Sequence, residues 1–252
     1  QRIGCAVGKE LEIRAVVTGA SGFIGAALVK RLEAEGAAIA CLMRAGSSKK
    51  PFNNVTYIED CDSVEELTAR FLAFKPNAVF HLAACQDMTN TIEGARELIQ
   101  TNLVLGERIL SAARDSRVKS FISAGTFSAH ASGTAEYVPQ TFYAATKIAF
   151  AGLSEVYQTE SEMQTLVLEL SDTYGPDDPR SKFLNLISEI SKSGEAIGAT
   201  PGEQIIRPLH VDDVVAGFVF AAKILLSGEK LPSVLSIAGE QEVNLKQLVN
   251  IF

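Results

Sequence analysis

The chain has 252 residues, 47% hydrophobic and 21% charged, enough for one large α/β domain or a domain with an appendage. A formal charge of −7 and a pI near 5.1 argue against a nucleic-acid surface, and no apolar run reaches the roughly 18 residues of a membrane helix. Cys5, Cys41, Cys61 and Cys85 are far apart and share no ligand spacing with the three histidines, so they read as reduced packing thiols of a cytoplasmic protein without a structural metal.

Residues 1–12 carry no secretion-signal core, and because residue 1 is Gln the natural start is expected upstream. Ile13 to Thr18 is a β-branched run, followed by the glycine turn Gly19-Ala20-Ser21-Gly22-Phe23-Ile24-Gly25. Phe23 to Glu35 has helical periodicity and stops at Gly36. Strands are expected at Ala37–Met43 and Val55–Ile58, then a helix at Ser63–Phe74 with Ser63 and Glu66 as a capping box. A strand over Ala78–Leu82 precedes a long helix over Thr91–Arg114, a strand over Val118–Ser123, a helix ending near Glu160 and a strand over Gln164–Leu170. Apolar strands alternating with helices of a dozen residues predict a doubly wound parallel α/β sheet of the Rossmann kind, with ligands at the strands' carboxyl ends. After Tyr174-Gly175-Pro176 the pattern changes. A helix near Ser181–Ser191, a strand near Gln204–Arg207, a helix from Val211, a strand near Val234–Ile237 and a helix from Leu245 predict a small C-terminal α/β substrate-binding appendage. The expected division is 1–170 for the dinucleotide-binding domain and 171–252 for the appendage.

The glycines follow a strand and open a helix, so their N–H groups and the helix N-terminus suit a pyrophosphate held by Gly19, Ser21, Gly22, Phe23, Ile24 and Gly25. Where an acid would bind the 2′-hydroxyl of NAD, the second strand ends in Met43-Arg44-Ala45-Gly46-Ser47-Ser48-Lys49. An arginine there suits a 2′-phosphate, so NADP is favoured with NAD as the alternative; otherwise Arg44 only stacks on adenine. Tyr143 and Lys147, four apart on a helix, share one face, and an ammonium close to a phenol favours the phenolate.

With these motifs in place, the chain resembles the extended short-chain dehydrogenase/reductase family of NAD(P)-dependent nucleotide-sugar epimerases, dehydratases and reductases. The resemblance covers nearly all of it from about Ile13. It implies that Asp60 contacts adenine, that Leu82, Ala83 and Ala84 of His81-Leu82-Ala83-Ala84 flank the cofactor, and that Asn102 of Thr101-Asn102-Leu103-Val104-Leu105-Gly106 packs behind the site. It places Thr126, Tyr143 and Lys147 as catalytic residues, with Tyr143 and Lys147 also holding the cofactor. Asp172, Lys182, Arg207 and His210 join Thr126 as substrate contacts. Asp213 is expected to cap or anchor the helix that follows it. The Gly125-Thr126 strand end, Leu168-Glu169-Leu170 and Asp177-Asp178-Pro179-Arg180-Ser181-Lys182-Phe183 look most like the CDP-sugar 4-ketoreductases, the abequose and paratose synthases. A homodimer acting on a nucleotide sugar is implied, and the appendage is expected to be incomplete at Phe252.

Two departures shape the expected chemistry. Phe127-Ser128 stands where the family's dehydratases carry an Asp-Glu pair, which disfavours dehydration and leaves reduction or epimerisation. Asp172 replaces the usual asparagine beside the substrate diphosphate, which also admits a small carbonyl substrate. The favoured reading is an NADPH-dependent reductase of a 4-keto nucleotide sugar, the alternative an NAD-dependent 4-epimerase. A dinucleotide-sensing regulator is the reading from another class, disfavoured because Thr126, Tyr143 and Lys147 are all present.

Overall fold

A computed structural model describes residues 12–48, 51–130, 134–180, 186–187 and 202–249. Its centre is a seven-stranded parallel sheet. In chain order the strands are β1 Arg14–Thr18, β2 Ala38–Met43, β3 Thr56–Glu59, β4 Ala78–His81, β5 Ser120–Thr126, β6 Gln164–Leu170 and, much later, β10 Val234–Ile237. Their spatial order is β10-β6-β5-β4-β1-β2-β3, so the winding reverses between β1 and β4. That reversal opens the crevice in which a doubly wound sheet binds its ligand.

Both sheet faces are covered, which explains why the strands are apolar without alternation. Val17, Phe80, Ile122 and Leu168 pack under helices α1 Phe23–Ala34 and α6 Val211–Leu226, where the Phe80 and Phe218 rings meet edge to face at 6.3 Å. Val16, Val79 and Phe121 face the other way, against α2 Val64–Phe74, α4 Leu105–Asp115 and α5 Phe142–Thr159. Both cores are fully buried.

Several expected elements shift for identifiable reasons. The helix expected over 91–114 is divided into α3 Ile92–Ile99, a π turn at Gln100–Val104 and α4. A π turn inserts one residue and turns the side chains beyond it; here it carries the buried Asn102. The strand expected to stop at Ser123 runs on to Thr126, because Ala124, Gly125 and Thr126 pair with Leu168, Glu169 and Leu170. Ser63 caps α2 by accepting the Glu66 N–H at 3.1 Å, but the Glu66 carboxylate pairs with Arg70 instead of closing the box.

The larger difference lies beyond residue 170. Val234–Ile237 is not part of an appendage; it is the edge strand of the main sheet, parallel to β6 with Val234 opposite Val167. Helix α6, apolar on most sides, packs on α1 and under the sheet, with Ile237 against Gly217. The main layer therefore draws on residues well past the expected division at 170. Outside it stand two small pairs, β7 Thr173–Tyr174 with β9 Leu209–His210 and β8 Ile205–Ile206 with β11 Val243–Asn244, and a last short helix α7 Leu245–Val249. The helix expected near Ser181–Ser191 falls almost wholly outside the described residues, as does Lys182.

Candidate active site

The glycine turn is shaped by close backbone contacts. Gly19 has φ +68°, and a Cβ there would stand 2.6 Å from the Ala83 nitrogen. A Cβ on Gly25 would collide with the Gly19 carbonyl, which accepts the Gly22 N–H at 2.9 Å. Gly22 is the N-cap of α1 and brings no side chain to it, so the first-turn N–H groups are open to an anion. Ser21 is exposed and Phe23 and Ile24 are half-buried at this turn. An open groove of about 400 Å³ runs from Gly22 and Phe23 between the first turns of α1 and α6, past Lys30, Pro176 and Val211.

Across the switch point, the Thr18 hydroxyl accepts N–H bonds from Leu82 (3.1 Å) and Ala83 (3.0 Å). Its single proton therefore points to His81 Nδ1, 2.9 Å away, which fixes the imidazole as the neutral Nε2–H tautomer. Burial, then the charge of Lys147, pushes the His81 pKa down to about 3. His81 is thus a fixed strut that sets the Leu82–Ala84 strand end.

Asn102 fixes the next stretch. Its Oδ1 accepts the Cys85 N–H at 2.8 Å, and its Nδ2 donates to the Cys85 carbonyl and to Thr146 Oγ1. Thr146 in turn donates to the Tyr143 carbonyl. The π turn therefore couples the strand-end loop to the first turns of α5, whose N-cap Thr141 accepts the Ala144 N–H.

Tyr143 and Lys147 emerge from that turn beside Thr126. The Lys147 ammonium donates to the Ala124 carbonyl at 3.0 Å and stands 5.9 Å from the Tyr143 ring centre. Burial lowers the Lys147 pKa to about 8. Burial raises the Tyr143 phenol, and the groups that oppose this are Gln86, Arg180 and Thr126. The expectation that Lys147 brings the phenol into range is corrected: in this chain Lys147 is turned to the backbone, and desolvation outweighs every group favouring the phenolate. Thr126 Oγ1 lies 2.9 Å from Ser128 Oγ and accepts the Ser128 N–H.

Two residues of this cleft carry no signal in the sequence strong enough to single them out. Gln86 simply follows the strand-end motif. Arg180 sits in the Asp177–Phe183 run; it forms a two-pronged pair with the buried Asp178 carboxylate, donates to Thr173 and lies 4.6 Å over the Phe23 ring. Phe23 and Arg180 thus join the glycine turn to the segment after Pro176.

The expected substrate contacts divide. Asp172 is exposed, and its carbonyl receives the Leu209 N–H, which aligns β7 with β9. Arg207 is half-exposed and pairs with Glu242 at the surface. His210 caps α6 by accepting the Asp212 N–H at 3.2 Å and meets the Tyr174 ring edge-on, which makes it, rather than Asp213, the anchor of that helix.

The far end of the crevice fits an adenosine. Asp60 is held by Arg108 at 2.7 Å, while its other carboxylate oxygen is buried with no partner among the described residues. A buried acceptor without a partner is costly, and an adenine amino group can satisfy it. Arg44 is exposed in a turn closed by the Ser47 N–H on its carbonyl.

A glycine turn at the switch point, a buried unpartnered carboxylate oxygen on Asp60 and a Tyr-x-x-x-Lys helix beside a strand-end threonine define an enzyme of the extended short-chain dehydrogenase/reductase type. The chain belongs to the NAD dependent epimerase/dehydratase family, whose profile matches residues 15–235. It is 29% identical over 230 residues to the UDP-glucose 4-epimerase of Mycolicibacterium smegmatis, across 83% of this chain and 73% of that one. It is 26% identical over 222 residues to the CDP-abequose synthase of Salmonella typhimurium, across 86% and 72%. Among solved structures, the UDP-glucose 4-epimerase of Thermotoga maritima with UDP-glucose superposes with a TM-score of 0.81 at 24% identity, over 95% of this chain and 81% of that one. The Thermus thermophilus UDP-glucose 4-epimerase complex with NAD gives 0.79 at 23%, over 94% and 81%. These two likenesses concern the fold. Among the described residues no helix is long and apolar enough to cross a membrane.

Proposed function

We propose that the protein is an NADPH-dependent reductase of a 4-keto nucleotide sugar. The observation that carries this reading is Thr126 followed by Phe127 and Ser128 beside Tyr143 and Lys147: an alcohol-carbonyl proton site with no acid–base pair for expelling water. The nicotinamide, when bound, supplies the hydride. Tyr143, a phenol and so protonated at neutral pH, gives its hydroxyl proton to the ketone oxygen. Thr126 and Gln86 flank that oxygen and share the charge developing on it. Lys147 holds the nicotinamide ribose and stays fixed through the Ala124 carbonyl. Gly19, Ser21, Gly22, Phe23, Ile24 and Gly25 hold the pyrophosphate, Leu82–Ala84 line the cofactor, Asp60 holds adenine and Arg44 the 2′-phosphate.

On the substrate side, Arg180 is the cation best placed for a diphosphate, through its contact with Phe23. Arg207 and His210 serve there only by leaving Glu242 and by using the imidazole edge not engaged at the helix cap. Asp172 and Lys182 are further candidates. Exposed Ile92, Ile99, Val104 and Val156 on α3, the π turn and α5 suit pairing of two copies. Free thiols at Cys41, Cys61 and Cys85 accord with a cytoplasmic setting.

The second reading, an NAD-dependent 4-epimerase, is favoured by what its Mycolicibacterium relative is named for. One experiment separates them. With a 4-keto-6-deoxy nucleotide sugar and NADPH deuterated at the transferred position, the reductase consumes one NADPH per product and leaves deuterium at C4. Interconversion of two sugars without net cofactor consumption establishes the epimerase instead.

A further inference from the structure

The end of β2 lacks the carboxylate that discriminates NAD from NADP, but the fold brings one there from the neighbouring strand. Glu59, the last residue of β3, accepts the Gly46 N–H through Oε1 at 2.6 Å. Gly46 has φ +70° and lies in the turn that begins at Arg44. The Asp60 N–H donates to the Met43 carbonyl at 2.7 Å and so ties the two strand ends together directly beneath that turn. Glu59 therefore faces the same turn as Arg44, one residue from the adenine-side Asp60. In a doubly wound sheet this is where the adenosine ribose lies, over the end of the second strand.

Two consequences follow from this placement. A turn N–H that could bind a phosphate oxygen is already engaged by a carboxylate, and that carboxylate opposes any dianion brought to Arg44. The second Glu59 oxygen is an acceptor of the kind a ribose 2′-hydroxyl needs. We propose that Glu59 is the specificity-determining residue at the ribose 2′ position, acting against Arg44, so that NADPH is preferred over NADH only narrowly. This deepens the reductase reading, since it rests on the cofactor lying over the glycine turn and on Arg44 reaching the 2′ position.

Dissociation constants of NADPH and NADH are measured by calorimetry on the wild type, Glu59→Gln and Arg44→Ala, with circular dichroism to confirm the fold. Glu59→Gln keeps an acceptor for Gly46 and removes the charge. It should tighten NADPH by roughly tenfold, the scale of one partly screened like-charge contact, and weaken NADH by a few-fold. A ratio of the two affinities unchanged within twofold overturns the proposal. If Glu59→Gln does not fold, Glu59→Asp serves: it retains the charge but withdraws it from Gly46, and an unchanged ratio again overturns the idea. Arg44→Ala reads the other premise separately. If it leaves NADPH binding unaltered while Glu59→Gln shifts the ratio, the assignment of Arg44 to the 2′-phosphate fails, and only the discrimination by Glu59 stands.

Discussion

Lys147 and Tyr143 share a helix face one turn apart, yet the Lys147 ammonium donates to the Ala124 carbonyl at 3.0 Å and stands 5.9 Å from the Tyr143 ring centre. The two side chains are neighbours that do different work. A buried ammonium whose hydrogen bond goes to the Ala124 carbonyl costs stability, a cost that the proposed function explains by a cofactor ribose held there.

That cost has a pH window. The folded Lys147 pKa is depressed from 10.5 to about 8, so the chain loses stability as pH falls through that interval and carries the full cost below about 8. Lys147→Met should raise Tm at pH 7, the stabilisation being at most about 3 kcal/mol before the lost hydrogen bond is subtracted. The gain should shrink between pH 8 and 10.5 and vanish above. A constant difference in Tm across that range would mean that Lys147 is not buried as a charge.

Tyr143→Phe should abolish turnover on the 4-keto probe while changing cofactor affinity less than twofold, because only the proton-carrying oxygen is removed. Lys147→Ala should damage both. Stopped-flow reduction and calorimetric titration of the same preparations distinguish these patterns; wild-type rates in Tyr143→Phe would assign proton transfer to another group.

Asn102→Ala should disturb two loops at once. It removes three hydrogen bonds at a buried position and leaves the Cys85 N–H and carbonyl without partners. The expected loss is about 2–4 kcal/mol in denaturant unfolding. Hydrogen exchange should rise at both Cys85–Gln86 and the first turn of α5. Faster exchange at only one of these would show that Asn102 does not couple them.

The parts of the site that were legible in the sequence are those set by local geometry. Gly19, Gly22 and Gly25 announce a strand-to-helix turn, and Tyr143 with Lys147 announces a helix face. The parts that were not legible depend on which strands become neighbours. Glu59 lies thirteen residues from Gly46 in sequence, and nothing in β3 says that its last side chain folds back over the β2 turn. β10 looked like appendage because 63 residues separate it from the end of β6, a distance that conceals their pairing. Arg207 and His210 matched a motif, but their partners Glu242 and Asp212 are decided by surface packing and helix capping.

The clearest test of a long-range relationship concerns Glu169. This carboxylate is buried on β6, accepts from Tyr137 at 3.1 Å and Ser236 at 3.0 Å, and lies 2.8 Å from His130 Nε2. Gly125, opposite it in the β5–β6 register, makes room: a Cβ there would stand 2.9 Å from the Glu169 Cγ. The cluster therefore pins the segment after Thr126 to β6 and β10. Burial and then the Glu169 charge push the Tyr137 phenol up to about 12. Because the folded value is raised from 10.0, the stability held by the protonated phenol is present below pH 10 and is lost as pH climbs toward 12. Glu169→Gln removes the charge and keeps an acceptor, so Tyr137 should ionise at lower pH, and the alkaline loss of stability should still begin near pH 10 but end sooner and total less. The chain has no tryptophan and five tyrosines, so phenolate absorbance reports this directly, with Tyr137→Phe as the control that identifies the signal. If the phenolate titration of Glu169→Gln overlays the wild type, the carboxylate is not facing Tyr137, and the anchoring of the segment after Thr126 must come from elsewhere.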